Sequence, residues 1–299
     1  MPKAVLPGLK FKNVNLTVVS AVLDSGGSSG KLRKEYDIIS PGDVRRAFMA
    51  LTSLSEEDKK IFDFRFPAGE LAEHNLANLF FVSMYLQKGG YKSLFEKMNG
   101  LLVRQHKILP STTHKADLIA VLEDGQEIVG EHNIDVPKHD PKLKITKLFL
   151  RPATKACPQT IKRINRADLV VIGPGDIYSS LMQVLLVDGT SETIKESRAK
   201  KVYICNLMTK NGESNGFKVD DFVWEIENCL KCPLDYVIFN TNMPSAERVE
   251  EYRQTHPQFL EMVKFDHLPK DKKYIGLDLL GNEGITHDTE KIAKAILSL

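Results

Sequence analysis

Very little is in surplus in this chain, and each shortage removes a class of function. Its 41 basic and 39 acidic residues leave a formal charge of +2. No overall field therefore draws it to nucleic acid or an anionic surface, and any anion site has to be local. The longest apolar runs, such as Leu79-Phe80-Phe81-Val82 and Leu169-Val170-Val171-Ile172, are strand-sized, far short of the ~20 residues of a bilayer span. The start, Met1-Pro2-Lys3, lacks the apolar core of a secretory leader, which predicts a cytosolic protein. Four cysteines in 299 residues are too few for a disulfide framework. Cys229-Leu230-Lys231-Cys232 has metal-ligand spacing but no second pair, so it reads as a helix end with two ordinary thiols. No histidines stand at zinc spacing, no nucleophile elbow is present, and no internal repeat occurs.

What is there begins with two glycine- and serine-rich loops, each entered from an apolar strand-like run. The first, Asp24-Ser25-Gly26-Gly27-Ser28-Ser29-Gly30, follows Leu16 to Val22; the second, Gly173-Pro174-Gly175-Asp176-Ile177-Tyr178-Ser179-Ser180, follows Leu169 to Ile172. Glycines let the backbone approach a ligand, while serine hydroxyls and the free amides of a following helix donate to an anion. Two such loops predict a phosphorylated small-molecule ligand. The candidate contacts are Ser25, Gly26, Gly27, Ser28 and Ser29 in the first loop, and Gly173, Pro174, Gly175, Asp176, Ser179 and Ser180 in the second.

Helices are predicted at Val44 to Leu54 with Asp43 as N-cap, at Leu71 to Leu86 ending at Gly89-Gly90, and at Ser93 to Leu102. Residues 116–144 read as a β-rich elaboration, with a hairpin turning at Asp124-Gly125. From Thr160 onward helices and strands alternate. Strands are predicted at Leu169 to Ile172, Val202 to Cys205 and Tyr236 to Phe239, with helices to Asn165, after Ser179, at Asp221 to Cys229, from Ser245 and from Asp288. Such alternation predicts a single doubly wound α/β domain, a mostly parallel sheet with helices on both faces in a Rossmann-like three-layer arrangement. Ligands in such folds sit beyond the carboxyl ends of the strands, where both loops begin. The basic residues from Lys142 to Arg166 are interleaved with apolar ones and read as a solvated face.

Asp24 and Asp43 are the two carboxylates at the mouth of this region. Together they could hold magnesium, with water and ligand phosphate completing its shell; alternatively Asp24 stabilises its turn and Asp43 caps a helix. Arg45 and Arg46 lie in a first helical turn, opposed to the dipole, a placement that suits a nearby anion or carboxylate. His74 and Asn78, four apart, would share one helical face and present polar groups to a sugar or base, or simply belong to a polar face.

Taken together, these residues resemble the family of the 2-phospho-L-lactate transferases and gluconeogenesis factors. The likeness runs over nearly the whole chain: Asp24 to Arg33, Ser40 to Arg45, Phe64 to Phe66, His74 to Leu79, Leu109 to Thr112, Gly130-Glu131, Gly173 to Ser180, Tyr203 to Thr209 and Gly212-Glu213. The run Ser28 to Arg33 is closer to the gluconeogenesis-factor branch. That resemblance implies a cytosolic regulator that binds a nucleotide sugar or dinucleotide and supports growth and cell shape on gluconeogenic carbon sources, and Asn206 joins the candidate ligand set; a homo-oligomer is expected. The transferase branch implies instead magnesium-dependent transfer of a phospholactyl group to a deazaflavin precursor, with the metal on Asp24 and Asp43. The chain departs from the family pattern at Ser25, Glu73 and Ala77. It also starts at about the end of a glycine-rich turn which, with a strand before it, family members carry ahead of the segment matched by Pro2 to Lys10.

Overall fold

The computed structural model describes residues 2–88, 90–103, 106–266 and 271–299. Its strands are, in chain order, β1 (Thr17–Ser20), β2 (Lys107–Pro110), β3 (Asp117–Leu122), β4 (Glu127–Val129), β5 (Ile145–Arg151), β6 (Leu169–Ile172), β7 (Lys200–Ile204), β8 (Met208–Lys210), β9 (Tyr236–Asn240), β10 (Phe259–Met262) and β11 (Tyr274–Leu277). Four of them form a parallel sheet in the order β11-β9-β7-β6. Val202, Tyr203 and Ile204 of β7 and Val237, Ile238 and Phe239 of β9 are all buried. Such runs cannot face water on either side, and helices cover both faces as parallel sheets require.

On one face Val5 and Leu9 of the helix Pro2–Leu9 and Ile292 and Ile296 of the helix Thr289–Leu297 pack on Val202, Ile204 and Ile238. On the other, Phe222 and Ile226 of the helix Val219–Leu230 join Tyr203, Val237 and Phe239. The predicted α/β class therefore stands. β1 and β2 form a separate parallel pair, and β8 and β10 an antiparallel one.

The hairpin at Asp124-Gly125 is present, with Gly125 at φ 88°. It belongs to a three-stranded antiparallel sheet, β4-β3-β5, which continues to Arg151 because β5 pairs with β3 along nearly its whole length. The short helix Glu131–Asp135 hangs from β4 and carries this sheet's carboxylates toward both glycine loops. Among the described residues no helix is long and apolar enough to cross a membrane.

Several boundaries move for local reasons. Ser245 and Asp288 cap the helices Ala246–Thr255 and Thr289–Leu297 through their side chains. Asp43 does not cap: Pro41 takes that position of the helix Gly42–Leu51, and Asp43, inside the first turn, turns its carboxylate to Arg46. The helix expected from Leu71 starts only at Leu76. An irregular loop precedes it, closed by an Arg65–Asn75 bridge and a positive φ of 68° at Glu73, and this puts His74 outside the helix that holds Asn78. Of the predicted Gly89-Gly90 stop, Gly89 lies outside the described residues, and Gly90 precedes the next helix, Tyr91–Asn99. The segment after Ser179 opens as a wide helical turn, Ile177–Met182, in which Leu181 N–H donates to Asp176 O at 3.0 Å. Cys229 does end a helix, with burial pushing its thiol up.

Candidate functional site

The first loop turns on its own carboxylate: Asp24 Oδ1 accepts from Gly26 N–H at 2.8 Å. The chain then enters the helix Gly27–Glu35. The amides of Gly27, Ser28 and Ser29 sit at its open end, where no carbonyl of the helix itself can reach them. Two glycines make this compactness possible. A Cβ on Gly30 would lie 2.0 Å from Ser25 O, and one on Gly42 would lie 2.5 Å from Ser29 Oγ and 2.8 Å from Asp24 Oδ2. Side-chain bulk at position 42 would push apart the two segments that carry Asp24 and Asp43.

His74 and Asn78 meet at this loop although they do not share a helix. Ser28 Oγ lies 3.1 Å from His74 Nδ1, and Asn78 Nδ2 donates to the same hydroxyl at 3.2 Å. Asn78 is only 3% exposed, and its Oδ1 is buried with no hydrogen-bond partner. A buried acceptor left open is costly, and Asn78 is among the residues lining the cavity in front of the helix.

Charge gathers at the same place. Asp43 Oδ1 takes Nε of Arg46 at 2.9 Å, Arg45 pairs with Asp63 at 2.5 Å, and Arg65 bonds Glu73 O; all three arginines line the cavity. Glu131, from the helix on the antiparallel sheet, accepts from Ser25 N–H at 3.4 Å and hydrogen-bonds Asp24. Burial, then Asp24 and Asp135, push the Glu131 carboxyl up to about 9. Burial likewise raises Asp24, against the pull of the Gly26 amide. Asp24 and Asp43 offer carboxylate oxygens, the donor type magnesium prefers, with Arg46 already on Asp43.

The second loop is built differently. Tyr178 and Ser179 N–H both donate to Glu213 Oε2, at 2.9 and 3.0 Å, and Ser179 Oγ donates to Glu213 Oε1 at 2.7 Å. The helix start at which an anion was expected therefore already holds the chain's own carboxylate, and Ser179 is committed to it. Gly175 N–H donates to Asn206 Oδ1 at 3.0 Å. Glu213, Asp176 and Asp135 surround Lys210, whose side chain is 4% exposed; Asp176 and Glu213 approach it to 2.8 and 3.1 Å. These three carboxylates have metal-site spacing, but the ammonium stands among them. Burial works against that charge, yet the three anions together raise the Lys210 pKa.

Of the residues singled out in the sequence, Asp24, Gly26 to Ser29, Asp43, Arg45, Asn78, Gly173 to Asp176, Ser180 and Asn206 line one cavity of about 1550 Å³. Ser25 and His74 support it from behind, through His132 N–H and Ser28. Glu131, Asp135, Lys210 and Glu213 had no role assigned from the sequence. Their one signal is that Glu131 and Glu213 each follow a turn glycine, at Gly130 and Gly212, both with positive φ.

The sequence matches the family described as 2-phospho-L-lactate transferase CofD over residues 3–280. It is 39% identical over 258 residues to a Thermotoga maritima protein named putative gluconeogenesis factor, covering 86% of this chain and 81% of that one. The gluconeogenesis factor of Bacillus subtilis is 34% identical over 304 residues, 98% of this chain and 93% of its own. A crystal structure of a UPF0052 family protein from Bacillus halodurans superposes with a TM-score of 0.90 at 34% identity, covering 99% of this chain and 95% of that chain.

Proposed function

We infer that this chain, which belongs to the 2-phospho-L-lactate transferase CofD family, is a regulator that binds a nucleotide sugar or dinucleotide. The ligand's phosphate would sit at the open amino end of the helix Gly27–Glu35. The observation that carries the reading is the convergence there of free helix amides, cavity-lining arginines and the unpartnered Asn78 Oδ1, which suits an anion bearing hydroxyl or amide donors. The names of the relatives, gluconeogenesis factor in each case above, support a regulatory role on gluconeogenic carbon sources. Asp24 and Asp43 would hold a magnesium ion that neutralises part of the phosphate charge. The committed state of Ser179 and of the neighbouring amides favours the first loop over the second as the phosphate seat.

The juxtaposed Asp24 and Asp43 also favour a second reading, transfer of a phospholactyl group, the activity in the family's description, with magnesium on these two carboxylates. Thermal unfolding with magnesium and a panel of uridine and guanosine nucleotide sugars and dinucleotides tests the first reading. A ligand at 100 times its dissociation constant adds ~2.7 kcal/mol, a shift of about 4 °C for a domain of this size. No shift with any of them refutes it. Product formed from the activated phospholactyl nucleotide and deazaflavin acceptor, lost in Asp24→Asn, would establish the second instead.

A further inference from the structure

The second loop offers no ready phosphate seat, yet it opens on the same cavity as the first. Asp176, just beyond β6, and Asn206, just beyond β7, line that part of the wall together with Tyr252 and Phe259. The two loops are close. Ser25 N–H donates to Glu131 and Ser179 Oγ to Asp135, and Glu131 and Asp135 stand one helical turn apart, ~6 Å along the axis. A ligand with its phosphate on Gly27 to Ser29 therefore brings its next group to this wall.

Charge decides what that group can be. Asp135, Asp176 and Glu213 stand around a single ammonium, that of Lys210. The wall is negative, and it stays negative with a proton on Glu213, whose carboxyl burial raises. A second phosphate is repelled here, whereas a neutral group rich in hydroxyls is not. An ionised carboxylate has acceptor sites on both oxygens; Lys210 takes Asp176 through Oδ2 at 2.8 Å, which leaves Oδ1 for a ligand.

An aromatic platform stands beside this carboxylate. After burial, Asp176 is what raises the Tyr252 phenol, which places the two side by side. Tyr252 stacks on His256, with ring centroids 4.2 Å apart and planes 8° from parallel, and rests on the cluster of Leu207, Met208 and Ile285. A half-buried ring fixed in this way offers an apolar face to a flat or cyclic group in the cavity. One more acceptor lines the cavity, on His287. Burial lowers its pKa to about 4, so the ring is neutral. Its backbone partner is Cys205, whose N–H already goes to Ile238 O at 2.9 Å. The ring thus donates to the Cys205 carbonyl, and Nε2, buried with no partner, keeps its lone pair.

We propose that this wall seats a sugar with vicinal hydroxyls: Asp176 Oδ1, its carboxylate fixed by Lys210, accepts from the diol, the Tyr252 ring carries the sugar's apolar face, and His287 Nε2 accepts from a further hydroxyl. The inference rests on the phosphate seat at the helix Gly27–Glu35. The diol can belong to a ribose or to a hexose, and the test separates them.

Calorimetry in magnesium uses uridine and guanosine diphosphates, their forms with a ribose lacking both hydroxyls, the corresponding nucleotide glucoses, and inorganic pyrophosphate. A diol-bearing probe should bind at least ~10-fold tighter than its counterpart without the diol. A loss on stripping the ribose assigns the wall to ribose; a gain confined to the nucleotide glucose assigns it to the hexose. Asp176→Asn keeps an oxygen for Lys210 but turns an amide to the ligand, and Tyr252→Leu removes the platform without touching Lys210. Each should cost the diol-bearing probe ~10-fold and leave pyrophosphate binding undiminished. Variants that bind every probe as the parent does, or lose pyrophosphate to the same extent, overturn the inference and leave the phosphate seat standing. So does a parent that binds pyrophosphate as tightly as any sugar-bearing probe. A parent that binds none of the probes overturns the phosphate seat itself, and this inference with it.

Discussion

Replacing Glu131 by Gln should stabilise the protein at neutral pH, although it alters a residue at the heart of the site. The Glu131 carboxyl is raised from 4.5 to about 9 by burial and by the neighbouring Asp24 and Asp135. Between those two pKa values the folded state binds more protons than the unfolded one, so stability is fully present below pH ~4.5 and falls as pH rises toward ~9. At pH 7 the full shift would amount to roughly 3 kcal/mol, at ~1.4 kcal/mol for each pH unit above the unfolded pKa. Partial solvent access reduces this to ~1–2 kcal/mol. Gln keeps the shape, an oxygen for Ser25 N–H and a donor for Asp24, and removes the charge. Urea unfolding at a series of pH values should show the Gln variant matching the parent near pH 4.5 and exceeding it by ~1–2 kcal/mol at pH 7 to 8. A variant destabilised equally at every pH would refute the reasoning, because the carboxyl would then act as an ordinary structural acceptor.

Lys210→Met removes the only cation among Asp135, Asp176 and Glu213 in the described structure. It should cost ~3–5 kcal/mol at pH 7, part of it recovered on acidification; urea unfolding at pH 7 and pH 5 checks both. Asp24→Asn and Asp43→Asn should each change stability by less than ~1 kcal/mol, since Asn keeps the turn and Arg46 retains an acceptor. Calorimetry in magnesium should nevertheless show at least a ~10-fold loss of nucleotide affinity, ~1.4 kcal/mol. Asn78→Leu should weaken nucleotide binding more than magnesium binding, because the open Oδ1 is assigned to the ligand; an unchanged nucleotide titration would remove it from the site.

Three strands after Thr160, β6, β7 and β9, were legible because each is a short run rich in β-branched and aromatic residues, whereas β8, β10 and the sheet edge β11 were not read, since Met208–Lys210, Phe259–Met262 and Tyr274–Leu277 are short and carry few β-branched residues. Leu169 to Ile172 needed no adjustment, and Asp288 and Ser245 marked helix starts through chemistry that acts within three residues. Asp43 misled because capping depends on one φ/ψ pair: with Pro41 at the cap, the same carboxylate finds Arg46 instead. The pairing of His74 with Asn78 was right in space and wrong in cause, for Ser28 joins them across 46 and 50 residues. The role of Glu213 on the second loop was not legible. A carboxylate 34 residues away that fills a helix start leaves no local pattern.

The position of a bound phosphate tests the central claim most directly. In a crystal structure of the chain with magnesium and whichever nucleotide gives the largest thermal shift, a phosphate oxygen should lie ~2.7–3.2 Å from the amides of Gly27, Ser28 or Ser29. Asn78 Oδ1 should accept from the ligand or an ordered water. A phosphate seated instead on Gly173 to Ser180, with Glu213 displaced from Ser179 and the helix Gly27–Glu35 left untouched, would contradict the account.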